Sequence, residues 1–215
     1  MFGVSYVGES REDYTYIAPA AGQDALYPGY SAKWPLAVDN TQLLIRAHSD
    51  AVVLGHLVLP YTDPAEKRRF ASIHSNPPGI YTGYPAVVMH QYGKGKAIYA
   101  AGSLESMEIH ADTFTKLLGL LGSYSTRVVA PGCVEVTVFH QPEHSRYLVS
   151  LVNFQKEMPN IAVQGINVKL DVQRPIVRVD LLPDEQPWQF TEAEGWASFD
   201  VPTLETLAMF ALYYA

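Results

Sequence analysis

Hydrophobic and polar positions divide the chain into a first part of long apolar runs and a second part of short alternating ones. The stretch around which the first part is organised is Tyr84-Pro-Ala-Val-Val-Met-His-Gln-Tyr-Gly-Lys-Gly-Lys-Ala-Ile-Tyr-Ala-Ala-Gly-Ser103. It reads as a hairpin. Ala86–His90 is an apolar run with β-branched Val87 and Val88, Ala97–Ala101 is the returning strand, and Gly93-Lys94-Gly95 supplies positive-φ positions for the turn. Both strands are nearly all apolar, which predicts a hairpin inside a covered sheet. Asp13–Ala18, Gln42–Arg46 and Ala51–Leu59 read as further strands, the last a near-continuous apolar run carrying His56. Pro60–Gly83, with four prolines, reads as a polar excursion before the sheet resumes.

One helix is predicted, over about Met107 to Leu121. Phe114, Leu117, Leu118 and Leu121 recur at the i, i+3, i+4, i+7 spacing of a buried stripe, Ser106 can cap the start, and Gly122 can end it. Ser123–Pro131 reads as a linker, and then the pattern changes. Cys133–Phe139, Arg146–Asn153, Ile166–Val172, Ile176–Leu182, Trp188–Phe190, Ala197–Val201 and Thr206–Tyr213 are short β-like runs separated by turn signals. Within the first of them Val134, Val136 and Val138 alternate with Glu135 and Thr137. Such strands at close spacing, with no helix, predict an immunoglobulin-like β-sandwich. The expected organisation is an α/β domain over residues 1–124 and an all-β sandwich over 125–215.

Composition narrows the function classes. The 215 residues are 48% hydrophobic and 17% charged, with a net charge of −7. That is globular, and its negative balance argues against nucleic acid or an anionic membrane as partner. No apolar run is long enough to span a bilayer. The single cysteine, Cys133, excludes an internal disulfide framework, and the N-terminal stretch has no basic segment of the signal-peptide kind. The expected location is cytoplasmic.

Candidate chemistry is sparse. Gly93-Lys94-Gly95-Lys96 has neither a dinucleotide fingerprint nor P-loop spacing, and it precedes a strand, so it reads as a turn. His140-Gln-Pro-Glu-His144 has a metal-ligand spacing, but Pro142 and the flanking strands make it a hairpin tip with too few ligands. Glu105, Glu108, His110 and Asp112 form the densest ionisable cluster and could do acid–base work. A helix start attracts the same acidic residues through its dipole, and that reading is preferred. No metal, cofactor or catalytic residue is expected. Residues 1–35 are rich in aromatics. Tyr27, Tyr30 and Trp34 are candidates for a sugar-stacking platform, against the plainer reading that such rings cover a sheet edge or a domain contact.

Phe2-Gly-Val, Tyr84-Pro-Ala-Val-Val and Tyr92-Gly-Lys-Gly-Lys-Ala-Ile-Tyr-Ala-Ala-Gly together resemble the latter part of the β-galactosidase trimerisation domain. That domain follows the catalytic barrel in glycoside hydrolase family 42 and in related enzymes, fucosidase-like proteins among them. Tyr147-Leu-Val-Ser-Leu-Val-Asn-Phe, Ile176-Val-Arg-Val-Asp-Leu-Leu and Phe199-Asp-Val-Pro are similar to the C-terminal β-sandwich of such hydrolases. The resemblance implies a partial glutamine-amidotransferase-like (flavodoxin-like) fold in the first domain. Its partners would be an upstream catalytic barrel of the same protein and further copies in a homo-oligomer. The barrel and its paired catalytic glutamates are absent from this sequence, and no residue matches the amidotransferase nucleophile. The expected role is therefore a non-catalytic C-terminal region of a larger glycoside hydrolase, packing against the barrel and supporting oligomer contacts. A free-standing carbohydrate-binding or interaction module is the alternative, and an independent hydrolase using Glu105, Glu108 and His110 is the least favoured reading.

Overall fold

A computed structural model describes residues 1–63, 67–71 and 76–215. It divides into two compact units, Met1–Ser123 and Tyr124–Ala215.

The first unit is built on the strands β1 (Val4–Glu9), β2 (Thr15–Pro19), β3 (Leu36–Val38), β4 (Leu43–Ala47), β5 (Ala51–Pro60), β6 (Pro78–Tyr92) and β7 (Gly95–Ala100), followed by the helix α1 (Ala111–Gly119). Five strands form one sheet in the order β3-β2-β5-β6-β7, while β1 and β4 pair as a separate ribbon. Side-chain alternation explains the layering. On β6, Val87 points to the side of Ile17, Leu36, Leu57, Leu104 and Leu117. Its neighbour Val88 packs with Ile45 of the ribbon and with Ala101. Strand positions one apart face opposite ways, so β6 joins an α1-covered face to a ribbon-covered face.

Several expectations are corrected here. All described strand pairs of this unit are antiparallel, whereas a flavodoxin-like sheet is parallel. The β-rich part of the expectation stands without the amidotransferase-like architecture. The hairpin closes through Tyr92 opposite Gly95, with a positive φ of 58° at Gly93 and none at Gly95. It lies at the margin of the sheet rather than inside it, because β7 is the terminal strand and is half-buried. The excursion at Pro60–Gly83 is shorter than expected: β5 runs through Pro60, β6 begins at Pro78, and the remainder lies partly outside the described residues. Pro85 is tolerated within β6 because its pairing with β5 is irregular there: the register shifts on both sides of the His56–Pro85 rung, and a bulge is one of the places where a strand accepts proline.

The helix is shorter than its apolar pattern. Two 3₁₀ turns, Leu104–Ser106 and Glu108–His110, precede it, separated by Met107 in an extended conformation. Ser106 does not cap the helix; its hydroxyl donates to the Asp39 carboxylate or the Ser103 carbonyl. Of the expected stripe only Leu117 is buried, together with Thr113. Phe114, Leu118 and Leu121 remain 39%, 38% and 43% exposed.

The second unit contains β8 (Thr126–Val129), β9 (Val134–Gln141), β10 (Arg146–Asn153), β11 (Val163–Asp171), β12 (Ile176–Leu182), β13 (Gln186–Pro187), β14 (Thr191–Ala193), β15 (Trp196–Leu204) and β16 (Leu207–Tyr214). They form a sandwich of a five-stranded sheet, β13-β12-β16-β10-β9, and a four-stranded sheet, β14-β15-β11-β8, antiparallel throughout. Val149, Leu151, Phe210 and Leu212 of one sheet meet Ile166, Val168, Phe199 and Val201 of the other. Val134, Val136 and Val138 pack onto that core while Glu135 and Thr137 point away, as their alternation predicts. Two details differ. The expected linker contains β8, and Trp188–Phe190 is not a strand but the crossing between β13 and β14, which belong to different sheets. Among the described residues no helix is long and apolar enough to cross a membrane.

Candidate functional site

The aromatic segment is folded around a histidine, not laid out as a flat platform. Tyr27 sits in the core of the first unit at 1% exposure. Its ring passes over β5 at Gly55, where a Cβ would overlap the Tyr27 hydroxyl and come within 2.8 Å of Ile17 Cγ2. That hydroxyl has no hydrogen-bond partner among the described residues, and burial pushes its pKa up. Tyr30 is half-buried, with its ring edge-on to His110 at 5.6 Å. Trp34 is the exposed member of the three, at 67%, with Lys33 Nζ 5.3 Å from its ring centre.

His110 is buried at 2% exposure. Its Nε2 faces the Ala37 carbonyl at 2.5 Å, and its Nδ1 lies 3.0 Å from the Tyr30 hydroxyl. A carbonyl can only accept, so Nε2 carries the proton and Nδ1 accepts from Tyr30. Both ring nitrogens are thereby used inside the fold. Glu105, Glu108 and Asp112 are exposed, and none of them bonds to His110. The cluster that is dense in sequence is not assembled as an acid–base site. His110 instead ties Tyr30 and β3 to the start of α1.

A second histidine makes a different arrangement. His90 Nδ1 lies 2.8 Å from the Met1 carbonyl and Nε2 lies 3.1 Å from Asp50 Oδ2. Two acceptors require two donors, so this ring is suited to the imidazolium form. The hydrogen bond to the Met1 carbonyl, and then that to Asp50, hold the His90 pKa above its usual value of 6.5. The same bond from His90 holds the Asp50 carboxyl below its usual value. Gly3 lies against the ring, and a Cβ there would come within 2.6 Å of it. The arrangement fastens the N-terminal strand to β6.

In the second unit, His140 stacks on Tyr147 at 4.5 Å and bonds through Nε2 to the Tyr214 hydroxyl at 2.9 Å, while His144 is exposed in the following turn. The pair that resembles metal ligands in spacing is thus divided between a packed ring and solvent. Among the described residues no group of three or more His, Cys, Asp or Glu side chains is placed to hold a metal ion. Cys133, half-buried before β9, is a free thiol.

One concavity lies in the second unit, at residues the sequence alone did not single out. A cleft of about 430 Å³ is bounded by Trp188 and Phe190 of the crossing and by Thr191, Ser198, Asp200 and Pro202. Trp188 is fixed there: its indole N–H donates to the Asp200 carbonyl at 2.9 Å, and its ring meets Phe210 edge-on at 5.3 Å. The signal in the sequence was Trp188-Gln-Phe190 beside Pro187, which reads equally as a short strand.

No protein-family model matches the chain, and no curated protein matches it in sequence. Solved structures do match its fold. The chain superimposes over its full length on part of α-L-fucosidase isoenzyme 2 from Paenibacillus thiaminolyticus, with a TM-score of 0.76 at 21% identity. It superimposes over 99% of its length on Gan42B, a GH42 β-galactosidase from G. stearothermophilus, with a TM-score of 0.54 at 20% identity. It spans 34% of the fucosidase chain and 24% of the galactosidase chain. Its two-unit, β-rich fold is therefore one that recurs as a portion of longer glycoside hydrolase chains.

Proposed function

We propose that this chain is a non-catalytic accessory region of a glycoside hydrolase. The observation that carries the reading is the fit of the entire chain onto about a third of the fucosidase, at a TM-score of 0.76. In this proposal a catalytic barrel of the same protein lies upstream, the region packs against it and supports oligomer contacts in the cytoplasm, and no residue here performs the chemistry. The trimerisation role belongs to the same proposal, resting on the resemblance of the hairpin and its flanks. Two features of the first unit agree with a docking role. Phe114 and Leu118 of α1, with Leu121 just past its end, leave an apolar stripe open, and Ile109 just before the helix is 73% exposed. His110 has both nitrogens occupied inside the fold, which makes it a tie between the aromatic segment and the start of α1.

The test is the size of the native polypeptide in its source cells, by immunoblot against this segment. A band several times heavier than 23.8 kDa is expected. A band at the chain's own mass would sink the reading. The first unit would then be examined for direct sugar binding at Trp34, the exposed ring of the aromatic segment.

A further inference from the structure

We propose that the outer face of the four-stranded sheet in the second unit is a binding site for a neutral oligosaccharide, entered through the cleft of Trp188 and Phe190. Strand register assembles it. Thr191 pairs with Ser198, Ser198 with Lys169, and Lys169 with Arg127, so four polar side chains cross the sheet in one row. In the next row Asp200 pairs with Asn167. Directly paired residues share a face, and residues two apart along β15 lie about 7 Å from one another on it. A second concavity of about 350 Å³, bounded by Arg127, Lys169 and Trp196, adjoins the first and shares Thr191 and Ser198 with it. The two form one groove.

The chemistry of the groove selects its occupant. Trp188 and Phe190 offer an apolar wall, and Trp188 is already held by Phe210 and by the Asp200 carbonyl, so little ordering is needed on binding. The Asp200 carboxylate is oriented by Asn167 Nδ2, 2.7 Å from Oδ1, and its Oδ2 has no partner among the described residues. It can accept hydroxyl protons. Ser198 and Thr191 can donate or accept, and Lys169 and Arg127 only donate. An anion would be repelled at Asp200 and a cation at Lys169 and Arg127. A neutral ring with apolar C–H faces and hydroxyls that both give and take protons satisfies wall, acceptor and donors together. This inference stands on the groove alone and holds whether or not the chain belongs to a larger hydrolase.

The test applies the full chain to a printed array of neutral oligosaccharides and then titrates the strongest binder by calorimetry into the wild type and three variants. Phe190→Ala and Ser198→Phe, which remove the wall and fill the cleft, are expected to weaken binding about tenfold or more, the loss of one or two good contacts. Trp34→Ala, in the other unit, is expected to leave it unchanged. Amide exchange at Val168 and Phe199 checks that the sheet beneath the groove is intact. Should Ser198→Phe disturb it, Thr191→Val at an exposed position takes its place. Absence of any array signal overturns the proposal, as does binding that Phe190→Ala leaves intact or that Trp34→Ala abolishes.

Discussion

Replacing Tyr27 by Phe is expected to stabilise the first unit, against the usual direction for trimming a core residue. The Tyr27 side chain is 1% exposed and its hydroxyl has no protein partner among the described residues. A buried hydroxyl without a hydrogen bond costs about 1–3 kcal/mol in lost hydration, while the ring supplies the packing and survives the substitution. The expected gain is about 1 kcal/mol, which corresponds to roughly fivefold slower exchange of amides that open only with the whole unit. Ile17 and Leu57 on β2 and β5 report it, separately from the second unit. A second prediction comes from the same geometry. Gly55→Ala is expected to cost about 1–3 kcal/mol by overpacking, because the new methyl meets the Tyr27 hydroxyl and Ile17 Cγ2. In the Tyr27→Phe background part of that clash is gone, so the two substitutions should couple by about 1 kcal/mol. If Tyr27→Phe instead speeds exchange at Ile17 and Leu57, the hydroxyl has a partner, such as a buried water, and the reasoning fails. Sugar binding that depends on the Tyr27 hydroxyl would refute its placement in the core.

Other expectations follow from the packing. Leu151→Ala, at a fully buried position of the sandwich, is expected to cost about 2–5 kcal/mol, read by urea denaturation of the second unit. Asn153 is 1% exposed, and its side-chain amide donates to the Ile161 carbonyl at 2.9 Å and the Glu205 carbonyl at 2.8 Å. Asn153→Ala should cost about 1–3 kcal/mol by removing these bonds and leaving the Glu205 carbonyl without its side-chain donor, and unchanged exchange in the two loops would count against it. The His90 tie has a definite pH signature. The His90 pKa is raised in the folded state, so its contribution is fully present below its unfolded value of 6.5 and is lost as pH rises through the folded value. The Asp50 pKa is lowered, so its contribution is present above 3.8 and is lost as pH falls through the folded value. Exchange protection of the β1 amides should therefore be greatest between these limits and decline toward alkaline pH, and His90→Gln should flatten that decline. A wild type with a flat profile would refute the doubly bonded imidazolium.

The sandwich was legible because its strands are half-buried, so their alternation records the two faces directly. Arg146–Asn153 and Ile176–Leu182 appear in the structure with the bounds their patterns imply. Pairing was not legible, since register is settled by residues distant in sequence: nothing in Ala97–Ala101 says that β7 has a neighbour on one side only. The helix illustrates a related limit. Phe114, Leu118 and Leu121 share a stripe with Leu117, and periodicity cannot say how far a covering layer reaches across it. The helix begins late because Met107 is extended and His110 is engaged by Tyr30 and Ala37, residues more than seventy positions earlier. Thr126–Val129 was hidden by its place between Gly122 and Pro131. The groove at Trp188 was invisible for the reason that pairing was. Thr191, Ser198, Lys169 and Arg127 span most of the second unit in sequence, and only the ladders put them in line.

Each sheet among the described residues draws all its strands from one unit, and this has a consequence for biosynthesis. When Ser123 leaves the ribosome every described strand of the first unit already has its ladder partners. At about 5–20 residues per second the remaining stretch takes roughly 5–20 s to be made. That interval is long beside the milliseconds to seconds in which most β-rich domains of this size fold. The first unit thus has time to fold before the sandwich exists, with its α1 stripe open. Early in the chain's life, that stripe is where a chaperone would be expected to bind.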